Sequence, residues 1–379
     1  MLTSSPERFR LGFIVNPIAG MGGSVGLKGT DGPEILAHAQ KLGAKPTASA
    51  RAREFLQFLT SVKYKLHFFT AAGDMGENLL REITLQYEVI WTPPANSTTS
   101  RDTIACAQRM KDRDVAIVVF VGGDGTARDI YTALGPKGIV LGIPAGVKIN
   151  SGVFALNPEA AANALLQFLW DEIGLAEVEV LDIDEEAFRK GSVQSQLFGY
   201  MLAPSQPAVM QGSKAASPTT VDEHENQLEL GRQVVEDMRP GVLYLVGPGT
   251  TCRAVAEVLG LDKTLLGVDV MVDKQWVARD VNAAQILTFL DKYPEAEIVV
   301  TAIGAQGFVF GRGNLQFNPE VLRRVPPKRW RIILTRQKLQ TLPEGHLRID
   351  TRDPALDKDL RGMYRVLVGE GEFLIVELQ

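Results

Sequence analysis

Val118-Val119-Phe120-Val121-Gly122-Gly123-Asp124-Gly125-Thr126 is the stretch that decides the fold. Its first four residues are apolar and three are β-branched, the texture of a strand buried on both faces of a parallel sheet. Two glycines, an aspartate, a third glycine and a hydroxyl follow, and a helical pattern runs over 127–134. A strand that hands small residues to the head of a helix brings backbone N–H groups within reach of phosphate oxygens. The helix N-terminus then favours their negative charge. An aspartate in such a cradle repels the ligand unless it has a task, either taking a proton from an attacking hydroxyl or holding Mg²⁺. Asp-Gly is also a common way out of a strand, so the pentad alone leaves a plain turn open.

Outward from this stretch, short strands and helices alternate. Strands are read at 9–16, 66–70, 87–91, 115–121 and 139–143, with helices at 51–62, 74–83, 97–110 and 127–134 between them. The pattern is that of a doubly wound α/β domain, whose ligands bind at the carboxyl ends of the strands. Asn157-Pro158 caps a further helix to about 172. Beyond 177 the texture changes. Strands at 178–183 and 196–202 have no helix between them, 205–220 is a polar excursion, and 364–368 with 373–378 reads as a closing hairpin. The expected organisation is an α/β domain over 1–155 and a mixed, β-rich domain over 156–379, with a possible α/β insertion at about 240–340.

Composition narrows the class. The chain has 379 residues, 45% hydrophobic and 22% charged, with a net charge of −5. These values exclude wholesale disorder and a generally basic nucleic-acid surface. No apolar run is long enough to span a bilayer and the first ten residues do not read as a signal peptide, so a cytoplasmic protein without a nucleic-acid partner is expected. The two cysteines, far apart in apolar surroundings, organise neither a disulfide framework nor a zinc site. The four histidines show no metal-ligand spacing. Glycine is the unusual count, at 36. The glycines cluster at 19–32, 122–125, 142–152, 247–249 and 304–313, mostly after apolar strands, which points to a phosphate-rich ligand.

Several segments carry a family resemblance. Gly122–Thr126 spells GGDGT and resembles the motif shared by NAD kinases, diacylglycerol and sphingosine kinases and, more distantly, phosphofructokinases. Residues 14–20 (IVNPIAG), 142–155 (GIPAGVKINSGVFA), 247–251 (GPGTT) and 304–314 (GAQGFVFGRGN) are similar to segments of a branch that groups predicted ATP–NAD kinases with the acetoin-catabolism X proteins. The resemblance runs from about residue 10 to the C-terminus. It implies the NAD kinase/diacylglycerol kinase-like fold and transfer of the γ-phosphoryl group of ATP, or of polyphosphate in some members, to a hydroxyl. In NAD kinases that hydroxyl is the 2′-hydroxyl of NAD. The resemblance also implies Mg²⁺ and a homo-oligomer.

Carried over by motif, Asp124 is the catalytic base or orients the substrate hydroxyl, and Asp124→Asn is expected to keep the fold and lose turnover. Gly122, Gly123, Gly125 and Thr126 line the phosphates, with Asn16 at the neighbouring strand end. Gly146, Lys148, Asn150 and Ser151 form a second phosphate-side loop, in which Lys148 is either the phosphate cation or a solvated lysine. Lipid-kinase relatives read PxGTxN here. This chain has Val147 in place of Thr, Lys148 beside it and an asparagine, Asn150, further along the same loop. The Asn-Glu pair with which NAD kinases read the nucleotide has no clear counterpart, and Asn150-Ser151 is the nearest polar pair. Arg312, between two glycines, is a phosphate clamp or a surface turn arginine. The 247–251 turn either cradles an anion or only joins strand to helix. Asp129, one turn after Asp124, either helps hold Mg²⁺ or caps the surface. Three functions stay open: an NAD kinase, a same-fold kinase for another acceptor (lipid, polyol or other nucleotide), and a nucleotide-binding regulatory protein without turnover.

Overall fold

The GGDGT strand lies inside a five-stranded parallel sheet. A computed structural model describes residues 8–21, 41, 46–94, 98–146, 149–183, 195–205, 210, 221–303 and 306–379. Lys148, Gly304 and most of the 20–32 and 205–220 segments lie outside the described residues. The described chain divides into two compact units, the later boundary falling between Ser213 and Lys214. The division expected at 155/156 is therefore not where the units part.

The first unit runs β1 (Phe9–Val15), α1 (Ala48–Phe58), β2 (Leu66–Ala71), α2 (Glu77–Glu82), β3 (Tyr87–Trp91), α3 (Ser100–Lys111), β4 (Ile117–Gly122), α4 (Asp124–Leu134), β5 (Val140–Pro144), α5 (Pro158–Leu169), β6 (Leu175–Ile183) and β7 (Ser195–Pro204). The sheet order is β3-β2-β1-β4-β5, with every pairing parallel. The chain winds outward from β1 to β3, then returns to the other side of β1 as β4. The order reverses between β1 and β4, and at such a switch point the loops diverge and leave a crevice at the carboxyl ends of the strands. Both faces are covered. Phe13 stacks on Phe55 of α1, with ring centroids 6.3 Å apart. Ile14, Val118 and Phe120 pack with Cys106, Met110, Ala127 and Ile130 of α3 and α4. Each fully buried phenyl ring contributes about 2 kcal/mol of transfer free energy. Strands β6 and β7 form an antiparallel ribbon, and β7 bridges back to the first sheet at Ile139–Leu202. Tyr131 of α4 meets Phe198 of β7 edge-on at 5.4 Å. This packing holds the ribbon in the first unit, beyond the expected boundary.

The second unit runs α6 (Val221–Glu236), β8 (Leu243–Val246), α7 (Thr250–Val258), β9 (Val268–Val272), β10 (Gln275–Val281), α8 (Ala283–Lys292), β11 (Ala296–Val300), β12 (Phe308–Phe310), α9 (Pro319–Arg324), β13 (Trp330–Ile333), α10 (Arg336–Gln340), β14 (Arg348–Ile349), α11 (Pro354–Asp359), β15 (Gly362–Gly369) and β16 (Glu372–Leu378). Its main sheet has the order β10-β9-β8-β11-β13-β15-β16. The four central strands are parallel, and the antiparallel strands stand at the two edges. Val299, Ile333 and Leu367 face α6 and α7, while Ile298, Val300, Ile332 and Val366 pack with Ile286 and Val321 of α8 and α9. The α/β stretch is thus the frame of this unit up to Gly369. It is not an insertion ending near 340. The closing hairpin forms as read, with Gly369 opposite Glu372.

Candidate functional site

The switch point brings the turn after β4 beside the turn after β1. Asn16 N donates to Val121 O at 3.0 Å, and Asn16 Nδ2 donates to Thr126 Oγ1 at 3.0 Å. Gly122 must be glycine for packing, since a Cβ there would lie 2.3 Å from Thr126 Oγ1. Gly123 is different. It is the N-cap of α4 in an extended conformation (φ −125, ψ −168), and no side chain caps that first turn. The nearest atom to a Cβ at Gly123 is Gly146 Cα at 3.4 Å, an ordinary contact. Gly123 and Gly125 are half-exposed, whereas Gly122, Asp124 and Thr126 are buried. The open glycines therefore present the positive end of α4, and the buried residues hold it in place.

Gly146 belongs to the same edge. Gly146 N and Ala145 N both donate to Gly122 O, at 3.2 and 2.8 Å. Asn150 and Ser151 converge on Asp124. Asn150 N and Nδ2 donate to Asp124 Oδ2 at 2.9 Å each, while Ser151 N and Oγ donate to Oδ1 at 3.0 and 2.7 Å. A carboxylate offers about four acceptor positions, and here all four are taken. Burial pushes the Asp124 carboxyl above its ordinary range, and the Ser151 and Asn150 donors oppose that rise without cancelling it. Ser151 Oγ also accepts from Leu181 N at 3.0 Å and lies 3.1 Å from Leu181 O. Its single proton can therefore turn from Asp124 to Leu181 O, releasing one acceptor position on Oδ1.

The structure thus brings together Asn16, Gly122, Gly123, Asp124, Gly125, Thr126, Gly146, Asn150 and Ser151. Lys148 falls outside the described residues. Arg312 belongs to the second unit, where it is buried, stacks over Phe308 at 4.6 Å and lies 3.8 Å from Asp350. It is not a surface turn arginine. Asp129 is buried, with Arg128 4.0 Å away. Sequence reasoning missed Arg51. This arginine of α1 is buried, donates through Nε to Pro144 O at 3.0 Å and lies 3.8 Å from Glu54 Oε2, which places a paired guanidinium at the end of β5. Nothing in its helical surroundings distinguishes it from an ordinary surface arginine. Among the described residues no three His, Cys, Asp or Glu side chains are grouped to hold a metal, and no helix is long and apolar enough to cross a membrane.

A family model for the ATP-NAD kinase N-terminal domain matches residues 11–173, and one for the ATP-NAD kinase C-terminal domain matches residues 239–378. Comparisons with curated proteins and with solved structures find no match.

Proposed function

The chain belongs to the ATP-NAD kinase family, and we propose that it transfers the γ-phosphoryl group of ATP to the 2′-hydroxyl of NAD, yielding NADP and ADP. The observation that carries this reading is the open Gly123 at the uncapped N-terminus of α4, at the switch point of a parallel sheet. Phosphoryl transfer needs positioning and charge stabilisation above all. The N–H groups of the 123–126 turn supply donors for phosphate oxygens, and the Arg51 guanidinium, paired with Glu54, stands at the neighbouring strand end. In the reaction the acceptor oxygen bonds to the γ-phosphorus, the bond to the bridging oxygen breaks, and the hydroxyl proton passes to a base. Asp124 Oδ1 takes that role once Ser151 Oγ turns to Leu181 O. With Oδ2 held by Asn150 and Oδ1 taken up by the proton, Asp124 is not left to ligate magnesium directly. Magnesium would arrive on the phosphates of ATP.

Incubation with γ-labelled ATP and a panel of hydroxyl acceptors tests this. Label on NAD, and little on lipid, polyol or mononucleotide, is the expected result. One observation favours a second reading. Asn150 and Ser151, the nearest stand-in for the nucleotide-reading pair, both spend their side chains on Asp124. Selective labelling of another acceptor would favour a same-fold kinase of different specificity. Nucleotide binding without any transfer would favour a regulatory protein.

The raised Asp124 carboxyl has a consequence for pH. A base works only when deprotonated, so turnover falls as pH drops through the folded-state value. That value lies above the ordinary 3.8. The acid limb of kcat/KM is expected above the normal aspartate range, and a limb at or below it would remove Asp124 as the base. The linkage has the opposite sign for stability. The folded chain holds this proton more tightly than the unfolded one, so this group's contribution declines as pH rises from the ordinary value through the folded one.

A further inference from the structure

The turn at Gly247-Pro248-Gly249-Thr250-Thr251 plays no part in the reaction above, yet it repeats the build of the GGDGT turn. A fully buried strand, β8, leads through glycines into α7, with Gly249 as N-cap at φ +104. A side chain at that φ is strained, and a Cβ there would lie 3.3 Å from Thr301 Cγ2 at the end of β11. No side-chain hydrogen bond caps the first turn of α7, so the positive end of the helix dipole lies at its N–H groups. Thr251 stands five residues after Val246 (246 to 251), as Thr126 does after Val121 (121 to 126). Thr126 Oγ1 receives Asn16 Nδ2. Thr251 Oγ1, by contrast, is completely buried and has no hydrogen-bond partner. Helical side chains lean toward the N-terminus of their helix, so the Cα–Cβ bond of Thr251 is tilted toward the turn.

Cationic charge converges on the same turn. Lys338, buried at 6% exposure, donates to Thr301 Oγ1 and Ala302 O at 3.2 Å each. Thr301 is the residue that packs against Gly249. Burial pushes the Cys252 thiol up to about 11, and Lys263 and Lys338 both pull against that rise, so both ammonium groups act on the first turn of α7. Lys263 is matched by Asp269 at 3.6 Å. The nearby acid is Glu223, which accepts from Thr335 Oγ1 at 2.8 Å and from Gln227 Nε2 at 3.4 Å. Gln227 Nε2 also reaches Thr250 Oγ1 at 3.5 Å.

We propose that the first turn of α7, with the Thr251 hydroxyl and the Lys338 ammonium, is a phosphoryl-binding site belonging to the second unit. A tetrahedral oxyanion matches this donor set, which combines backbone N–H groups, a hydroxyl and a buried ammonium. Free phosphate and a phosphomonoester share this chemistry.

The test follows the backbone amide resonances of Thr250, Thr251 and Cys252 in the full chain as inorganic phosphate is added at constant ionic strength. Saturable shifts are expected. Lys338→Met should weaken them at least about tenfold and Thr251→Val about threefold, the loss of one charged and one neutral hydrogen-bond partner respectively. Thermal unfolding of each variant checks that it is folded. If Lys338→Met does not fold, Thr251→Val, which exchanges a hydroxyl for a methyl of similar size, carries the test. The Gly123 and Gly125 amides report on the other turn in the same spectra, so the two readings fail separately. Tighter saturation by glycerol 3-phosphate identifies a monoester site, and equal saturation a site for free phosphate. Absence of saturable shifts at 250–252, or unchanged affinity in the folded variants, overturns the proposal.

Discussion

Asp124→Asn is expected to destabilise the fold by on the order of 3 kcal/mol, in addition to lowering turnover by at least about a hundredfold. The reason is the completeness of the Asp124 clasp. Asparagine keeps one acceptor oxygen, enough for Asn150 N and Nδ2, and places an NH₂ where Oδ1 stood. Ser151 Oγ can adapt by accepting from that NH₂ and donating to Leu181 O, 3.1 Å away. Ser151 N cannot adapt. Its N–H, 3.0 Å from Oδ1 in the native chain, would face a donor inside the protein. The fold is still expected to be kept, at lower stability, because both carboxylate oxygens are bound by a loop 26 and 27 residues further on. Chemical denaturation of the variant checks the claim, and a wild-type midpoint would mean that the clasp carries no load.

The second large effect separates the two adjacent glycines. Gly123→Ala is expected to leave stability within about 0.5 kcal/mol of wild type, since its backbone is extended and its Cβ meets nothing closer than 3.4 Å. Its turnover should nonetheless fall about a hundredfold, because the methyl stands where phosphate must approach the N-terminus of α4. Gly122→Ala should do the reverse of the first half. Its Cβ would sit 2.3 Å from Thr126 Oγ1, and the overpacking costs about 1–3 kcal/mol. Unfolding curves and turnover measured on both variants separate the roles. A Gly123→Ala protein as active as wild type would mean that no phosphate rests on this turn.

The elements that position the site were legible where one local signal sufficed. The apolar run of β4 marked a central strand, Asn157-Pro158 marked the start of α5, and the glycine pair marked the tight hairpin of β15 and β16. Helices α9 and α11 carry the same Asn-Pro and Asp-Pro signals at 318–319 and 353–354, with the caps formed by Asn318 and Asp353, but they are only six residues long and too short for a periodic pattern. The boundary read at 155/156 and the division between the compact units differ for another reason. A change of texture at 177 marks a change from helix to ribbon. Whether that ribbon stays with the first unit depends on contacts such as Tyr131 with Phe198, which no local pattern encodes. The site divided along the same line. Asn16 and the 122–126 turn were readable from strand ends. The pairing of Asp124 with Asn150 and Ser151, the burial of Arg51 against Pro144 and the pairing of Arg312 with Asp350 are contacts distant in sequence.

Phosphoryl transfer to NAD is tested by ADP release from Mg-ATP by the purified protein, with and without NAD⁺, alongside the folded Gly123→Ala variant. Release that depends on NAD⁺ and is lost in the variant is the expected result. Release indifferent to NAD⁺, or undiminished in Gly123→Ala, would contradict it.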